Sequence, residues 1–206
     1  MFMLSIDIQI TFETPVHIGA TGNREAVARD LRGRPCIRAS TLRGTHRAAT
    51  EQAAAALGLS VCKAPIAHRM CQPISGEPFC AVCRIFGSPW LPGKIYHREL
   101  ITTEAPQIEA QARVSRSRRR GVRLGTYPDR REVLPAGTTF AGQIDHLVGN
   151  EASLGLALAG LRSIRAMGSG NAIGYGLCRV EAQALDGSRR PIDERGLAAA
   201  LHREQK

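Results

Sequence analysis

The chain has 206 residues, enough for one domain that buries its own hydrophobic core, so neither disulfides nor a metal ion is needed merely to fold it. With 43% hydrophobic residues it is not a wholly disordered chain, and no apolar run approaches the roughly 18–20 residues of a membrane-spanning helix. The formal net charge of +10 predicts an anionic partner, nucleic acid above all, with a merely charged surface as the alternative.

The amino-terminal half of the chain predicts one strand, one helix and an irregular segment. Apolar and polar residues alternate over 4–12, the period of a half-buried strand. The polar, turn-rich stretch 20–34 is expected to be an exposed loop. Ser40 is expected to cap a helix that runs through an alanine-rich stretch and ends at Gly58. Residues 62–92, rich in Cys, Pro and Gly, are too irregular for one helix or strand.

The carboxy-terminal half predicts strands and helices in alternation. Weak strand character over 108–114 precedes an arginine-rich stretch, and a stronger strand is predicted over 138–148. Apolar residues at i, i+4 and i+7 from Leu154 predict a helix, followed by a last strand over 173–185 and a short helix from Asp193.

This order of elements predicts an α+β fold with a ferredoxin-like or RNA-recognition-motif-like core. The chain is expected to form a single domain over 1–206, with insertions at about 60–100 and 112–133. The amino-terminal residues lack a basic segment followed by an unbroken apolar stretch, so the expected compartment is the cytoplasm. The six cysteines are then better explained as thiols or metal ligands than as disulfides.

A CxxC pair, Cys80 and Cys83, is the strongest local motif. Two thiolates at this spacing bind one ion with little strain, and upstream ligands can complete a tetrahedral shell. The predicted zinc ligands are His68, Cys71, Cys80 and Cys83, with Cys62 as the alternative to His68. Because a closed shell leaves no position open for water, the zinc is predicted to be structural. Buried free cysteines are the alternative, and a redox pair is disfavoured because the motif does not open a helix of a βαβ unit.

Arginines crowd between residues 113 and 131, where Asp129 is the only acid. Arginine suits bidentate contacts to phosphate better than lysine does, and the stretch is expected to be a loop or hairpin lying over a ligand. Its predicted RNA-contacting residues are Arg113, Arg116, Arg118, Arg119, Arg120 and Arg123.

Two further stretches are candidate anion sites. Residues 34–44 lead into the first predicted helix, and a helix amino-terminus with hydroxyls and arginines can bind phosphate, although a plain cap also explains Ser40. The glycine-rich stretch 167–176 allows a phosphate to approach closely, and a tight structural connection explains it equally well. Together with the helix that follows residue 44, these stretches add as predicted RNA contacts Arg38, Ser40, Arg43, Arg47, Gly168, Ser169 and Gly170.

Several function classes lack their motifs. The chain contains no GxxxxGK[ST] loop, no GxSxG and no HExxH, which argues against P-loop NTPases, α/β-hydrolases and HExxH metalloproteases. Aromatic residues make up only 4%, so any RNA is expected to be held by its backbone more than by base stacking.

Five segments in sequence order carry further motifs. The first, Pro15 to Gly19, reads PVHIG, the third is Cys80 to Gly87, and the others are 34–44, 133–140 and 168–176. These segments resemble motifs of the CRISPR-associated RAMP superfamily, specifically the small backbone subunit of type III effector complexes, the Csm and Cmr type. The third resembles the family's Cys-x-x-Cys-x-Leu-Phe-Gly motif.

The resemblance implies a role as well as a fold. Such subunits assemble in several copies, with other effector subunits, along a CRISPR RNA (crRNA) and hold it for pairing with target RNA in antiviral defence. They carry a zinc-containing insertion and a thumb-like hairpin, for which 113–131 is the candidate. Base pairing supplies sequence specificity, so the protein is expected to bind backbone and shape.

Some members of this family also cut the target RNA, with an Asp after the first strand and a divalent ion such as Mg²⁺. The corresponding position lies near Asn23 to Glu25, where no Asp is present. Glu25 could substitute, and Asp30 matches a separate Asp of the family. A scaffold subunit is therefore favoured over a target-RNA endonuclease, and a guide-independent zinc-stapled nucleic-acid-binding module is the further alternative. Repeat-processing activity is a third, although His17 and His46 are expected to be structural.

Overall fold

A computed structural model describes residues 3–20, 22–73, 79–113, 119, 122, 129–147 and 151–203. The helices in these ranges are α1 Ala39–Ala56, α2 Ala81–Phe86, α3 Glu151–Ser163 and α4 Glu194–Arg203. The strands are β1 Met3–Phe12, β2 Gly19–Ala20, β3 Asn23–Val27, β4 Cys36–Ile37, β5 Ile95–His97, β6 Leu100–Thr102, β7 Glu109–Arg113, β8 Asp129–Val133, β9 Thr139–Leu147 and β10 Cys178–Leu185.

Six of these strands form one antiparallel sheet with β1 near its centre. The strand order is β10–β1–β9–β6–β4, and β5 pairs with another part of β9. β1 has neighbours on both sides, so Ile8 lies opposite Ala182 on one side and Gly142 on the other. Because β5 and β6 belong to this sheet, the end of the predicted 60–100 insertion is part of the central fold. The remaining strands form two separate hairpins, β2–β3 and β7–β8.

One face of this sheet is apolar because β1 and β10 alternate as their sequences predict. Ile10 and Phe12 of β1 are fully buried, and β10 alternates between buried and exposed residues from Cys178 onward. α1 and α3 contribute Leu42 and Leu158 to the same hydrophobic core. Burial of each large apolar side chain stabilises the fold by about 1.5–3 kcal/mol. The predicted α+β class is confirmed.

None of the helices in the described ranges combines the length and the hydropathy that crossing a bilayer requires.

α1 begins differently from the prediction. The residue at its amino-terminal cap is Arg38, which has an extended conformation and makes no side-chain capping hydrogen bond. Ser40 therefore lies inside the first turn and is not the cap. At the other end Leu57 is the cap and Gly58 follows it with a φ of +76°, so the predicted end of the helix is confirmed to within one residue.

The stretch 20–34 is more ordered than the exposed loop that its polar composition predicted. It contains most of the β2–β3 hairpin, and Val27 and Ala28 are buried. The Ala28 N–H donates to the carbonyl of Ile18 at 2.8 Å, and the Ala28 carbonyl accepts from the N–H of Cys36 at 2.9 Å. These backbone pairs join residues ten and eight positions apart and carry no periodic signal in the sequence, which is why the prediction was wrong.

The last strand begins at Cys178 and not at residue 173. Asn171–Ile173 form a turn of 3-10 helix, and the flanking Gly170 and Gly174 have φ values of +85° and +89°. Positive φ values belong to turns, so the glycine-rich stretch is a tight connection before the strand.

Two histidines form a buried pair between the sheet and the helices. His46 of α1 is fully buried, and its Nε2 lies 2.9 Å from the carbonyl of Ala157 in α3. Since a carbonyl only accepts, His46 Nε2 carries the proton, and Nδ1 accepts from His97 Nε2 at 2.9 Å. His97 Nδ1 is then an unprotonated acceptor, buried without a hydrogen-bond partner among the described residues. Burial and the nearby Arg43 cation lower the pKa of His97 to about 4.

Replacing His97 with glutamine is expected to weaken the acid sensitivity of the fold. In the unfolded chain His97 takes up a proton below about pH 6.5, whereas in the folded chain it does so only near pH 4. The free energy of unfolding therefore falls as the pH is lowered between these two values. The difference amounts to about 2 kcal/mol between pH 7 and pH 4.5. Urea unfolding across this range should show that amount of pH dependence removed in His97→Gln, whose amide still donates to His46. An unchanged pH dependence of stability in His97→Gln would contradict this prediction.

Candidate nucleic-acid groove and metal centre

An open cavity of about 410 Å³ lies where four parts of the chain meet. The segment after β1 forms one wall, the first turns of α1 a second, and β8 and the glycine-rich stretch complete it. We call this cavity the groove. Its lining residues are His17, Ile18, Gly19, Ala20, Thr41, Thr45, Arg131, Gly168 and Ser169.

Gly168 allows the glycine-rich stretch to lie directly on the segment after β1. Its φ is +88°, and a Cβ at this position would lie 2.6 Å from the carbonyl oxygen of His17. The N–H of Ser169 donates to that same oxygen at 3.0 Å. Gly168 and Ser169, both predicted as RNA contacts, therefore reach the groove, whereas Gly170 lies beside Tyr175 and is not among the lining residues.

His17 is a groove residue that the sequence suggested was only structural. It is 5% exposed, and its Nδ1 donates to the carbonyl of Glu132 at 2.7 Å. In the neutral ring Nε2 is then an acceptor, and it lies 3.3 Å from the position that a Cβ on Gly19 would take. An imidazole acceptor of fixed tautomer thus lines the groove, where it can accept a hydrogen bond from a hydroxyl or an amine. The sequence feature that could have pointed to His17 as a groove residue was the PVHIG segment.

Glu132 fastens the β2–β3 hairpin to the β7–β8 hairpin. Its Oε2 accepts from the N–H of Val27 at 2.8 Å and from Arg29 Nη2 at 2.9 Å. The hydrogen bond from Arg29 is the largest cause that lowers the pKa of Glu132. β8 therefore enters the groove at a fixed position, with Arg131 among the lining residues.

The base of the predicted arginine-rich hairpin is present as β7 and β8, which pair in antiparallel register from Glu109 opposite Val133 to Arg113 opposite Asp129. Arg119 is exposed. Predicted contacts that lie outside the described residues are Arg116, Arg118, Arg120 and Arg123, and of Arg113 only the backbone is described.

The predicted basic contacts of α1 do not line the groove. Arg43 Nη2 donates to the carbonyl of Phe86, and Arg47 Nη1 donates to the carbonyl of Gly87 at 2.8 Å. Ser40 is exposed, and Nε of Arg38 is buried without a hydrogen-bond partner among the described residues. On this helix the groove is lined instead by threonines, whose i, i+4 spacing places them on one face.

The two candidate catalytic carboxylates lie outside the groove. Glu25 is exposed on β3, and its N–H donates to Asn23 Oδ1 at 3.0 Å. Asp30 closes a turn, in which Oδ1 accepts from the N–H groups of Arg32 and Arg34 and Oδ2 accepts from Arg34 Nε at 2.9 Å. Desolvation raises the pKa of Asp30, but the hydrogen bonds from Arg34 and Arg32 outweigh it and lower that pKa overall.

Four cysteines meet beside α2. The Sγ atoms of Cys62, Cys71, Cys80 and Cys83 all lie within 4.8 Å of one another and could hold a metal ion. His68 does not belong to this cluster, because it lies exposed on the 3-10 turn Ala67–Arg69. The cluster therefore contains Cys62, the predicted alternative ligand, and not His68.

The cluster fits a tetrahedral ion. Metal–sulfur bonds of about 2.3 Å place neighbouring sulfurs about 3.8 Å apart in a tetrahedral site. Cys62 Sγ lies 3.3 Å from Cys83 Sγ and 3.8 Å from Cys80 Sγ, and the N–H of Cys80 donates to Cys71 Sγ at 3.3 Å. Hydrogen bonding between the Cys80 and Cys83 thiols lowers the pKa of Cys80 and raises that of Cys83.

A family model for the RAMP superfamily matches residues 9–179, which is more than half of the chain. The chain belongs to the RAMP superfamily. The match spans the end of β1, α1, the cysteine cluster and the glycine-rich stretch, and so covers both sites described above. RAMP proteins are CRISPR-associated and generally work with RNA in effector complexes, so a general RNA-binding role follows from membership. No curated protein matches the chain significantly.

Proposed function

We propose that this RAMP protein is a backbone subunit of a CRISPR effector of the Csm and Cmr type, which binds crRNA and holds it for pairing with target RNA. The groove carries this proposal. It combines a glycine-lined wall, the threonines of α1 and Arg131 in a chain of net charge +10. Backbone N–H groups, hydroxyls and arginine are the donors that contact phosphate and sugar without reading base sequence.

The proposed fold of this subunit is a single ferredoxin-like domain over 1–206. Support comes from the strand order β10–β1–β9–β6, with α1 between β1 and β6 in sequence and α3 between β9 and β10. That is the antiparallel 4-1-3-2 order expected of a β-α-β-β-α-β plan. Several copies are proposed to lie side by side along one guide, together with other effector subunits.

The cysteine cluster is proposed to bind structural zinc. Thiolates suit zinc, and four protein ligands leave no coordination position open for water. Cys62, Cys71, Cys80 and Cys83 would hold the ion and tie an irregular segment to α2. The ion would supply cross-linking and no catalytic step.

Binding without cleavage is the favoured activity. Asp30 is held by hydrogen bonds within its own turn, and neither Asp30 nor Glu25 is among the groove-lining residues. A divalent ion such as Mg²⁺ has therefore no carboxylate among the described groove residues to bind. Cleavage of target RNA by the assembled effector, compared between wild type, Glu25→Ala and Asp30→Ala, tests this point, and a loss of cleavage in either variant would favour the endonuclease alternative.

Native purification tests the main proposal. We expect the chain to copurify with small RNA of defined length, and the purified protein to bind its guide more tightly than random RNA of equal length. Recovery without RNA, together with equal affinity for guide and random oligomers, would contradict the proposal and favour the guide-independent module.

A negative charge introduced into the groove is expected to weaken RNA binding. Thr41→Glu places a carboxylate where the phosphate backbone is proposed to lie, and about ten-fold weaker binding corresponds to 1.4 kcal/mol of lost affinity. Fluorescence anisotropy with labelled RNA at fixed salt measures the effect. Ala55→Glu adds the same charge to an exposed position of the same helix, about 21 Å away along its axis, where salt screening removes its influence. Equal affinities of the two variants would place the RNA elsewhere.

A further inference from the structure

Arg47 lies at the junction of α1, α2 and the cysteine cluster. Its side chain is only 17% exposed, and each of its three nitrogens has a protein acceptor. Nε donates to Glu51 Oε1 at 2.9 Å, Nη1 donates to the Gly87 carbonyl at 2.8 Å, and Nη2 donates to Cys83 Sγ at 3.6 Å. The residue was predicted from the sequence to contact RNA, but one of its donors contacts Cys83 of the cysteine cluster, and the other two hold the guanidinium in place.

We propose that Arg47 is a positioning residue of the metal centre, which orients Cys83 and balances the charge of the cluster. This inference rests on the proposed zinc site. Four thiolates and one divalent ion carry a net charge of −2, and a guanidinium beside one sulfur offsets part of that charge in a partly buried place. Cys83 is fully buried, so water cannot supply this compensation to its sulfur.

The geometry around Arg47 fixes its orientation. Glu51 lies one turn further along α1, at i+4, and its carboxylate holds the Nε edge of the guanidinium. The Gly87 carbonyl, just beyond the last residue of α2, holds Nη1, and this leaves Nη2 to reach Cys83 Sγ. The planar guanidinium of arginine makes all three contacts at once, whereas the compact ammonium of a lysine cannot reach all three acceptors.

Zinc affinity distinguishes this role from RNA contact. In the full-length zinc-loaded protein, competition with a colorimetric zinc chelator should show about 10- to 100-fold weaker zinc binding in Arg47→Gln, the range seen when groups that orient metal ligands are removed. Arg47→Lys should fall between that variant and wild type. Arg32→Gln removes the same charge from an exposed turn and should leave zinc affinity unchanged. At saturating zinc, the RNA affinities of Arg47→Gln and Arg32→Gln should agree within two-fold.

Cobalt substitution provides a readout that a change in stability alone would not move. A hydrogen bond to sulfur stabilises the thiolate electrons, so the thiolate-to-cobalt charge-transfer band of the Co²⁺ protein should shift to longer wavelength in Arg47→Gln. If Arg47→Gln does not fold, Glu51→Gln is the substitute variant. It weakens the ion pair that orients the Arg47 guanidinium, and it should reduce zinc affinity by a smaller factor than Arg47→Gln.

Unchanged zinc affinity and an unchanged cobalt spectrum in the variants would overturn the inference. A loss of RNA affinity at full zinc occupancy would overturn it in favour of direct RNA contact. A wild-type chain that binds no zinc would overturn the proposed zinc site and this inference together, whereas zinc-binding wild type with unaffected variants would overturn the inference alone.

Discussion

Replacing Cys80 with serine should release the metal and lower the melting temperature by about 10 °C or more. Structural zinc contributes about 10–16 kcal/mol of binding free energy in zinc-finger peptides, and loss of even a quarter of that is large for a domain of this size. One kcal/mol corresponds to about 2–4 °C for 150–250 residues. Metal analysis should give close to one zinc per chain in wild type and close to none in the variant, and a thermal melt followed by circular dichroism measures the loss of stability.

Cys178→Ala is the matched control for the cysteine variant. Cys178 is a buried core cysteine on β10, outside the cluster, so its removal deletes a thiol without touching a ligand. The control should keep its zinc and lose only the stability of a small cavity, about 1 kcal/mol. A strong chelator should lower the melting temperature of both wild type and Cys178→Ala, and should leave that of Cys80→Ser unchanged. If the chelator leaves the melting temperature of wild type unchanged, the cluster does not bind a structural metal ion.

The elements that could be predicted from the sequence are those in which one face is buried along the whole element. β1 alternates, and β10 alternates over 178–184, because every second side chain enters the core, and the leucine stripe of α3 follows the turn of the helix. The β2–β3 hairpin has no such pattern. It is held by backbone pairing and by the Glu132 carboxylate, which comes from more than 100 residues further along the chain. Neither leaves a periodic trace in the local sequence.

The cysteine cluster shows a second limit of prediction from the local sequence. Spacing identified the CxxC pair, because two residues that open one short helix must lie close together. The fourth member of the cluster depends instead on how the chain folds between residues 62 and 71. The 3-10 turn Ala67–Arg69 leaves His68 exposed, while Cys62 reaches Cys83, so a choice between them required three-dimensional information.

The arginines of α1 show why residue type alone does not assign a contact. Arg43 and Arg47 are suited to phosphate, but the carbonyls of Phe86 and Gly87 offer them acceptors inside the protein. Direct contact of Arg43 with RNA stays a prediction, whereas for Arg47 we propose the role at the cysteine cluster instead. The threonine at position 41 could have been noticed, because it follows Ser40 in a segment already singled out as a helix amino-terminus, but a short hydroxyl side chain gives little signal on its own.

Replacing Gly160 with alanine should destabilise the protein by about 3 kcal/mol, at the upper end of what overpacking costs. Gly160 of α3 lies against Thr50 of α1, and a Cβ at this position would lie 2.0 Å from Thr50 Oγ1 and 2.8 Å from Thr50 Cα. Thr50 is fully buried and its hydroxyl donates to the carbonyl of His46 at 2.8 Å, so the side chain has no free space into which it can rotate. Because Cα also clashes, the two helices must move apart. Urea unfolding at pH 7 measures the loss.

The opposite result is expected for the one glycine inside α1. A Cβ on the exposed Gly44 would meet no atom within 4 Å, so Gly44→Ala should stabilise the protein by about 0.5–1 kcal/mol through a better helix former and a less flexible unfolded chain. The same added methyl group is therefore expected to destabilise the protein on α3 and to stabilise it on α1. A Gly160→Ala variant as stable as wild type would contradict the close packing of Gly160 against Thr50. Since α1 presents Thr41 and Thr45 to the groove, displacement of this helix by Gly160→Ala should also weaken RNA binding, whereas Gly44→Ala should leave it within two-fold of wild type.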